Sequence, residues 1–391
     1  MGLLLSEGPY FFVNDNYSTF QNIKRDYNNI TLNNKTKIEI LDNIKYLDEK
    51  LLKIKFEYKD DNNNIHEIRI YATNEMLKNL NNDDIEQYFL DGTYKIVPNF
   101  GNFKALVTLI GFNKRANAFV QCCYTLLTDE TQNIFENFLQ LLKFNYKFKP
   151  KYINIDFSKA EENAISEIYK NDKINIVFCL FHFIQCLWRK INSLGLRKKE
   201  FIKKSKCLIF NIKLLAFIKV EDIEDSYNSI KNSDIFDDDK YTLFFNYFEK
   251  NWIKKYTYKW NYFDIISLNQ KSNNEIYNND FDIKILLTNN ACETLHSYIK
   301  QMVANNSNVS VYVFNNVICN LIAKNNFDSN SKRKKNEINK HKFNLMKKKF
   351  SSDLFKIACL KNKFKVFNYE EMINILGTDI NEDELVLFND N

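Results

Sequence analysis

Apolar residues fall along this chain in two rhythms, and the change from one to the other marks its organisation. Three apolar runs, Tyr88–Val97, Phe103–Phe112 and Asn117–Leu127, are separated by short polar turns at Pro98-Asn99, Gly101-Asn102 and Asn113-Lys114. Runs of that length bounded by turn formers predict strands, and the short connections predict an antiparallel meander. The spacing then lengthens. Ile134, Phe138, Leu141 and Leu142 follow the cap candidate Thr128 and the acids Asp129 and Glu130 at helical intervals. Tyr152–Asp156 and Ile174–Leu180 read as further strands, each leading into a helix. The first begins at the capping box Ser158-Lys159-Ala160-Glu161, with Ala160, Ala164, Ile165 and Ile168 inward; the second carries the stripe Ile184, Leu187, Trp188 and Ile191.

Three antiparallel strands followed by two parallel ones, reached through helical crossovers, make an α/β mixed sheet of the ribonuclease-H-like kind. Residues 86–194 are therefore the first part of a core. Residues 1–85 form a mixed preamble with a strand pair near Leu52–Tyr58 and His66–Ala72 and a short helix near Asn74–Leu80. Residues 195–286 are helical in period throughout and read as an all-α insertion. Residues 287–325 complete the core through a helix over Asn290–Val303, and residues 326–391 hold a basic helix and an acidic tail.

Composition adds little to this picture, whereas the distribution of charge adds more. With 45% hydrophobic residues over 391 positions the chain can fill a sizeable core. A net charge of +6 permits a polyanionic partner without demanding one. Eight basic residues between Arg189 and Lys206 face the single acid Glu200, and nine Lys or Arg plus His341 between Lys332 and Lys349 face only Glu337. Each run is either a solvated helix face or a phosphate-binding surface. The eight cysteines lack paired C-x-x-C spacing, which fits a reducing, intracellular compartment. No apolar stretch approaches the roughly 20 residues of a membrane helix. The opening Met1-Gly2-Leu3-Leu4-Leu5-Ser6 matches the loose N-myristoylation pattern, one that arises often by chance.

Three acids stand where chemistry could use them, each with a plainer alternative. Asp91 sits in the first meander strand, where a buried carboxylate costs several kcal/mol unless it is paired or metal-bound; Asp91-Gly92 also reads as a hairpin turn. Asp156 ends the fourth strand, where α/β sheets display functional groups, and it would equally suit a helix start. Glu293 shares a helix face with His296 and Lys300, and Asn290-Ala291-Cys292-Glu293 is also a capping box. Cys179-Leu180-Phe181-His182 supplies two of the ligands a zinc site needs; the other reading is a core cysteine and a satisfied histidine.

In order along the chain, several segments resemble the Mutator-like (MULE) transposases. They are Phe89-Leu90-Asp91-Gly92-Thr93-Tyr94 running on to Pro98, Tyr152–Ala160, Cys179–Lys190, Trp260-Asn261, and Thr288–His296. They cover roughly residues 65 to 305, and ordered motifs are more specific than any one alone. The resemblance implies a DDE-type core that a helical insertion interrupts before the third acid. It places the catalytic, metal-binding acids on Asp91, Asp156 and Glu293, with two Mg²⁺ or Mn²⁺ ions as cofactors. The family's cysteine-x-x-histidine element falls on Cys179 and His182, implied as local support or DNA contact near the site, with His296 also supporting; Arg189, Lys190, Arg197, Lys198 and Lys199 are candidates for DNA phosphate contacts. The implied function is cleavage and strand transfer of double-stranded DNA in the nucleus, with a second copy of the chain as a candidate partner. The alternative is a domesticated, transposase-derived DNA-binding protein without catalysis. Family members with an N-terminal zinc module show clustered Cys and His ahead of the core, whereas residues 1–121 hold no cysteine and only His66.

Overall fold

The computed structural model describes residues 34–94, 96–267, 285–303, 309–330 and 364–376. The opening Met1–Ser6, the basic stretch Lys332–Lys349 and most of the acidic tail lie outside them. Among the described residues, β1 (Lys45–Tyr46) and β2 (Glu49–Lys50) form a small ribbon, and seven strands, β3 (Leu52–Lys59), β4 (Ile65–Tyr71), β5 (Ile85–Thr93), β6 (Ala105–Asn113), β7 (Ala118–Leu127), β8 (Tyr152–Ile155) and β9 (Asn175–Phe178), form one sheet in the order β3-β4-β7-β6-β5-β8-β9. At its centre is the meander: β5 (Ile85–Thr93), β6 (Ala105–Asn113) and β7 (Ala118–Leu127), with every pair antiparallel. Tyr88, Phe89 and Leu90 are all buried in β5, so this strand is covered on both faces and reads as a continuous apolar run rather than an alternation. Gly111 on β6 lets the strands close: a Cβ there would stand 2.7 Å from Ile85 Cγ2.

Helix α3 (Gln132–Tyr146) leads to β8 (Tyr152–Ile155), which runs parallel to β5; α4 (Lys159–Ile168) leads to β9 (Asn175–Phe178), parallel to β8. Connections of this kind need a crossover, which the two helices supply. On the other edge, the hairpin of β3 (Leu52–Lys59) and β4 (Ile65–Tyr71) joins the sheet through β4, which pairs with β7. The sequence pattern shows this hairpin but not its union with the meander. Arg69, almost fully buried on β4, is held by Asp42 and Glu67, each at 2.6 Å. Asp42 ends α1 (Asn34–Asp42), and the short α2 (Asn74–Lys78) follows β4.

Helix α5 (Leu180–Ser193) follows β9 and presents Phe183, Ile184, Leu187 and Ile191 to a second core. That core is built by α6 (Ile202–Leu215), α7 (Ile223–Lys231), α8 (Asp239–Phe248), α9 (Lys254–Trp260) and α10 (Phe263–Ser267). Trp260 stacks on Phe183 with ring centroids 5.3 Å apart and planes 4° off parallel, a pair worth about 0.5–1.5 kcal/mol beyond its area. Asn261 donates to the carbonyls of Leu215 and Ile218, and the Tyr262 hydroxyl donates to Phe178 O at 2.8 Å, fastening the helices to the last strand. The chain returns to the sheet as α11 (Asn290–Met302), which lies against β5 and β6, and continues into α12 (Val311–Asn330). A final helix, α13 (Tyr369–Leu376), packs on α6. No described helix is long and apolar enough to cross a membrane.

Candidate metal centre

Backbone register alone brings the first two acids toward each other. In the parallel pair of β5 and β8, Gln87 faces Tyr152, Tyr88 faces Ile153 and Phe89 faces Asn154. Continued by two residues, that register brings Asp91 toward Asp156, and the Asp156 charge acts on Asp91. The turn reading of Asp91-Gly92 fails, because Asp91 pairs with Thr108 and Gly92 with Val107 within the ladder. Asp156 follows the last residue of β8 and precedes the Ser158 cap of α4, where Ser158 Oγ accepts from Glu161 N.

The third acid arrives through an irregular segment that buried amides grip. Gln87 and Asn154, on adjacent strands, are both almost fully buried. Gln87 Nε2 donates to Leu286 O at 2.6 Å, Asn154 Nδ2 donates to the same oxygen at 2.8 Å, and Leu286 N donates back to Gln87 Oε1 at 3.0 Å. Leu180 N donates to Leu287 O at 2.8 Å, and Asn289 N donates to Cys179 Sγ at 3.2 Å. The Asn289 side chain reaches Leu90 O and Asp156 Oδ1 at 3.4 and 3.3 Å. These contacts fix the start of α11 over the end of the sheet. The capping reading of Glu293 does not hold: the N-cap is Asn289, no side chain caps there, and the Glu293 carboxylate turns to His182 instead.

His182 spans two of the acids. Its Nδ1 stands 2.6 Å from Asp156 Oδ1 and its Nε2 stands 3.1 Å from Glu293 Oε1. Burial works against a charged imidazole there, but Asp156, Cys179 and Glu293 outweigh it and raise the His182 pKa. Burial would also raise Glu293, yet the adjacent His182 holds it below the usual carboxylate range. Asp91 has no such relief. Burial, and then the like charges of Asp156 and Glu293, push it well above its ordinary value. His296 Nδ1 is 3.4 Å from Asp91 Oδ2 without a hydrogen bond, so that oxygen is buried and unpartnered. Burial lowers His296 to about 4; its neutral ring meets Thr108 Oγ1 at 3.0 Å through Nε2.

The structure thus gathers Asp91, Asp156, Glu293, Cys179, His182 and His296 at one end of the sheet. It also adds a residue the sequence assigned only to a cap. Glu161 is buried, its Oε2 has no partner, and burial followed by Asp156 raises its pKa well above the ordinary range. The capping-box spacing hid it, because that spacing accounts for a Glu at this position without any site. The candidate phosphate ligands lie elsewhere. Arg189 and Lys190 project from α5, the first bonded to Gln185 at 2.6 Å and the second over the Tyr247 ring at 5.1 Å. Arg197, Lys198 and Lys199 are exposed beyond the end of that helix.

Residues 88–186 match the family model described as the MULE transposase domain. The matched stretch contains Asp91, Asp156, Cys179 and His182 and ends before Glu293. It supports the MULE transposase family and a transposase kind of enzyme, and hence DNA binding in general. No curated protein matches the chain.

Proposed function

We propose that the chain is the catalytic part of a DDE-type transposase with a ribonuclease-H-like core, which cuts the DNA of a Mutator-like element and joins it to a target. The observation that carries this reading is the delivery of Asp91, Asp156 and Glu293 to one place by β5, β8 and α11, with Asp91 Oδ2 buried and unpartnered. Like charges so placed repel unless a cation lies among them. Hard divalent ions want carboxylate oxygens, so the donor set fits two Mg²⁺ or Mn²⁺ ions held by these three acids. When bound, such ions activate the attacking oxygen and stabilise the leaving oxygen of an in-line phosphoryl displacement.

The protein's own groups orient that centre. Asn289 holds Asp156 through Oδ1, Gln87 and Asn154 hold the strap before α11, and the neutral His296 ring backs Asp91. Helix α5 joins the acids to a surface, since His182 and Arg189 stand two turns apart on one helix, about 10 Å along its axis. Double-stranded DNA lying over that end would have its phosphates met by Arg189, Lys190, Arg197, Lys198 and Lys199, contacts that position DNA without reading its sequence. A nuclear location and a second copy of the chain as partner belong to the same reading.

The test uses two readouts. Asp91→Asn and Glu293→Gln are each expected to abolish Mn²⁺-dependent strand cleavage and to weaken Mn²⁺ binding, measured by calorimetry, by at least about tenfold. Full cleavage with unchanged Mn²⁺ binding in either variant would overturn the assignment.

A further inference from the structure

We infer that Asp156, Cys179 and His182 also form a site for one Zn²⁺ ion, overlapping the acid centre through Asp156. One ligand atom from each residue lies within 4.8 Å of the others. The sequence supplied only the cysteine and the histidine; the fold adds the carboxylate. Strands β8 and β9 pair in parallel with Ile155 opposite Phe178, so the next residues, Asp156 and Cys179, lie side by side. Cys179 is the N-cap of α5 and His182 stands three residues on, so both point from the first turn of one helix. All three ligands sit on regular elements rather than on a loose loop. Zinc takes sulfur at about 2.3 Å and nitrogen or oxygen at about 2.0–2.2 Å, which asks for side-chain adjustment of about an ångström.

The surroundings fit that ion as well as the ligands do. A zinc-bound histidine generally hands its other ring nitrogen to a carboxylate. Here, with Nδ1 on the metal side, Nε2 lies 3.1 Å from Glu293 Oε1. A metal-bound thiolate is favoured at a helix N-terminus and by a backbone donor. Cys179 has both, with Asn289 N at 3.2 Å from its sulfur. Asp156 and His182 are partly exposed, 31% and 18% at the side chain, which gives an ion a way in. On binding, the thiol gives up its proton to solvent, the imidazole binds through neutral Nδ1, and the fourth position is left to water.

Softness separates this site from the hard-ion centre. Thiolate and imidazole select zinc over magnesium. With zinc seated, Asp156 is a zinc ligand and Glu293 supports His182, so of the three acids only Asp91 is left to a hard ion. Zinc and the catalytic ions are therefore alternative occupants, and zinc antagonises Mn²⁺ loading. The ligation stands on its own geometry; the antagonism rests on the reading of the acid centre given above.

Cobalt(II) is the probe, because thiolate ligation gives a sulfur-to-cobalt charge-transfer band in the near ultraviolet. The full chain, reduced and stripped of metal, is expected to develop that band with one equivalent of Co²⁺ and to lose it on stoichiometric Zn²⁺. Cys179→Ser is expected to abolish the band, and His182→Gln to weaken Co²⁺ binding at least about tenfold. Circular dichroism melts check that both variants fold, and Cys122→Ser should leave the band intact. In calorimetry, one equivalent of Zn²⁺ should weaken Mn²⁺ binding in the wild type but not in Cys179→Ser. No band in the wild type, or a band that survives Cys179→Ser, would overturn the site; a band without any effect on Mn²⁺ would overturn the antagonism. Asp91→Asn separates the two readings: lost Mn²⁺ binding with an intact cobalt band supports both, whereas unchanged Mn²⁺ binding sinks the acid centre alone.

Discussion

Gln87 and Asn154 meet across the parallel strands β5 and β8, where Gln87 Nε2 donates to Asn154 Oδ1 at 2.5 Å, and both side chains hold the carbonyl of Leu286. Nearly two hundred residues separate Gln87 from that carbonyl, and the helical core lies between. The amide pair therefore couples the sheet bearing Asp91 and Asp156 to the helix bearing Glu293. A buried amide left without its partner costs about 1–3 kcal/mol, more than the roughly 1 kcal/mol that a typical hydrogen bond contributes. Asn154→Ala strips one donor from Leu286 O and the acceptor from Gln87.

The expected result is a loss of about 2 kcal/mol in urea unfolding, together with weaker Mn²⁺ binding. A substitution that lowered stability alone, with Mn²⁺ affinity intact, would show that the strap does not set the position of Glu293.

Glu161 predicts a dependence on pH with a definite sign. Its folded pKa lies above the ordinary carboxylate value, because burial and then Asp156 disfavour its charge. A carboxyl whose folded pKa is raised supports the fold while protonated. That support is complete below the unfolded pKa, near 4, and is lost as pH climbs through the folded value. Glu161→Gln keeps the shape without the charge. Metal-free Glu161→Gln is expected to melt higher than the wild type at pH 7–8, with the gap closing toward pH 4. Melts across that range decide it, and a gap that widened in acid would contradict the assigned direction.

Much of the sheet was legible in the sequence because strand residues carry their own signal. The runs at Tyr88–Val97 and Asn117–Leu127 end within a few residues of β5 and β7, since apolar runs stop where turn formers begin. Asp91 is visible for a different reason: a charge inside an apolar run conflicts with burial and marks the position out, whereas Asp156 is marked by its place at a strand end and Glu293 mainly by the family resemblance. What local pattern cannot report is who meets whom. Gln87 and Asn154 are polar residues in apolar strands, and only the pairing of β5 with β8 makes them a clamp. His182 lies beside Cys179 in the sequence, but its place between Asp156 and Glu293 depends on three elements converging. The strap around Leu286 has no period at all, because its bonds run to side chains elsewhere rather than along itself.

Lys213 on α6 gives a prediction for the helical core. It is almost fully buried, and burial lowers its pKa to about 8. An unfolded lysine titrates near 10.4, so between about pH 8 and 10.4 the unfolded chain holds a proton the folded chain has released, and stability rises with pH. Below about pH 8 both states are charged and this gain with pH is absent. A shift of this size corresponds to roughly 3 kcal/mol at most, since each pKa unit is about 1.4 kcal/mol. Lys213→Met keeps the length and apolar stem and removes the charge. The variant is expected to be more stable by about 1–3 kcal/mol at pH 7 in urea unfolding, with the difference shrinking as pH rises toward 10. If wild type and variant instead ran parallel from pH 7 to 10, the Lys213 ammonium would be no burden on the fold.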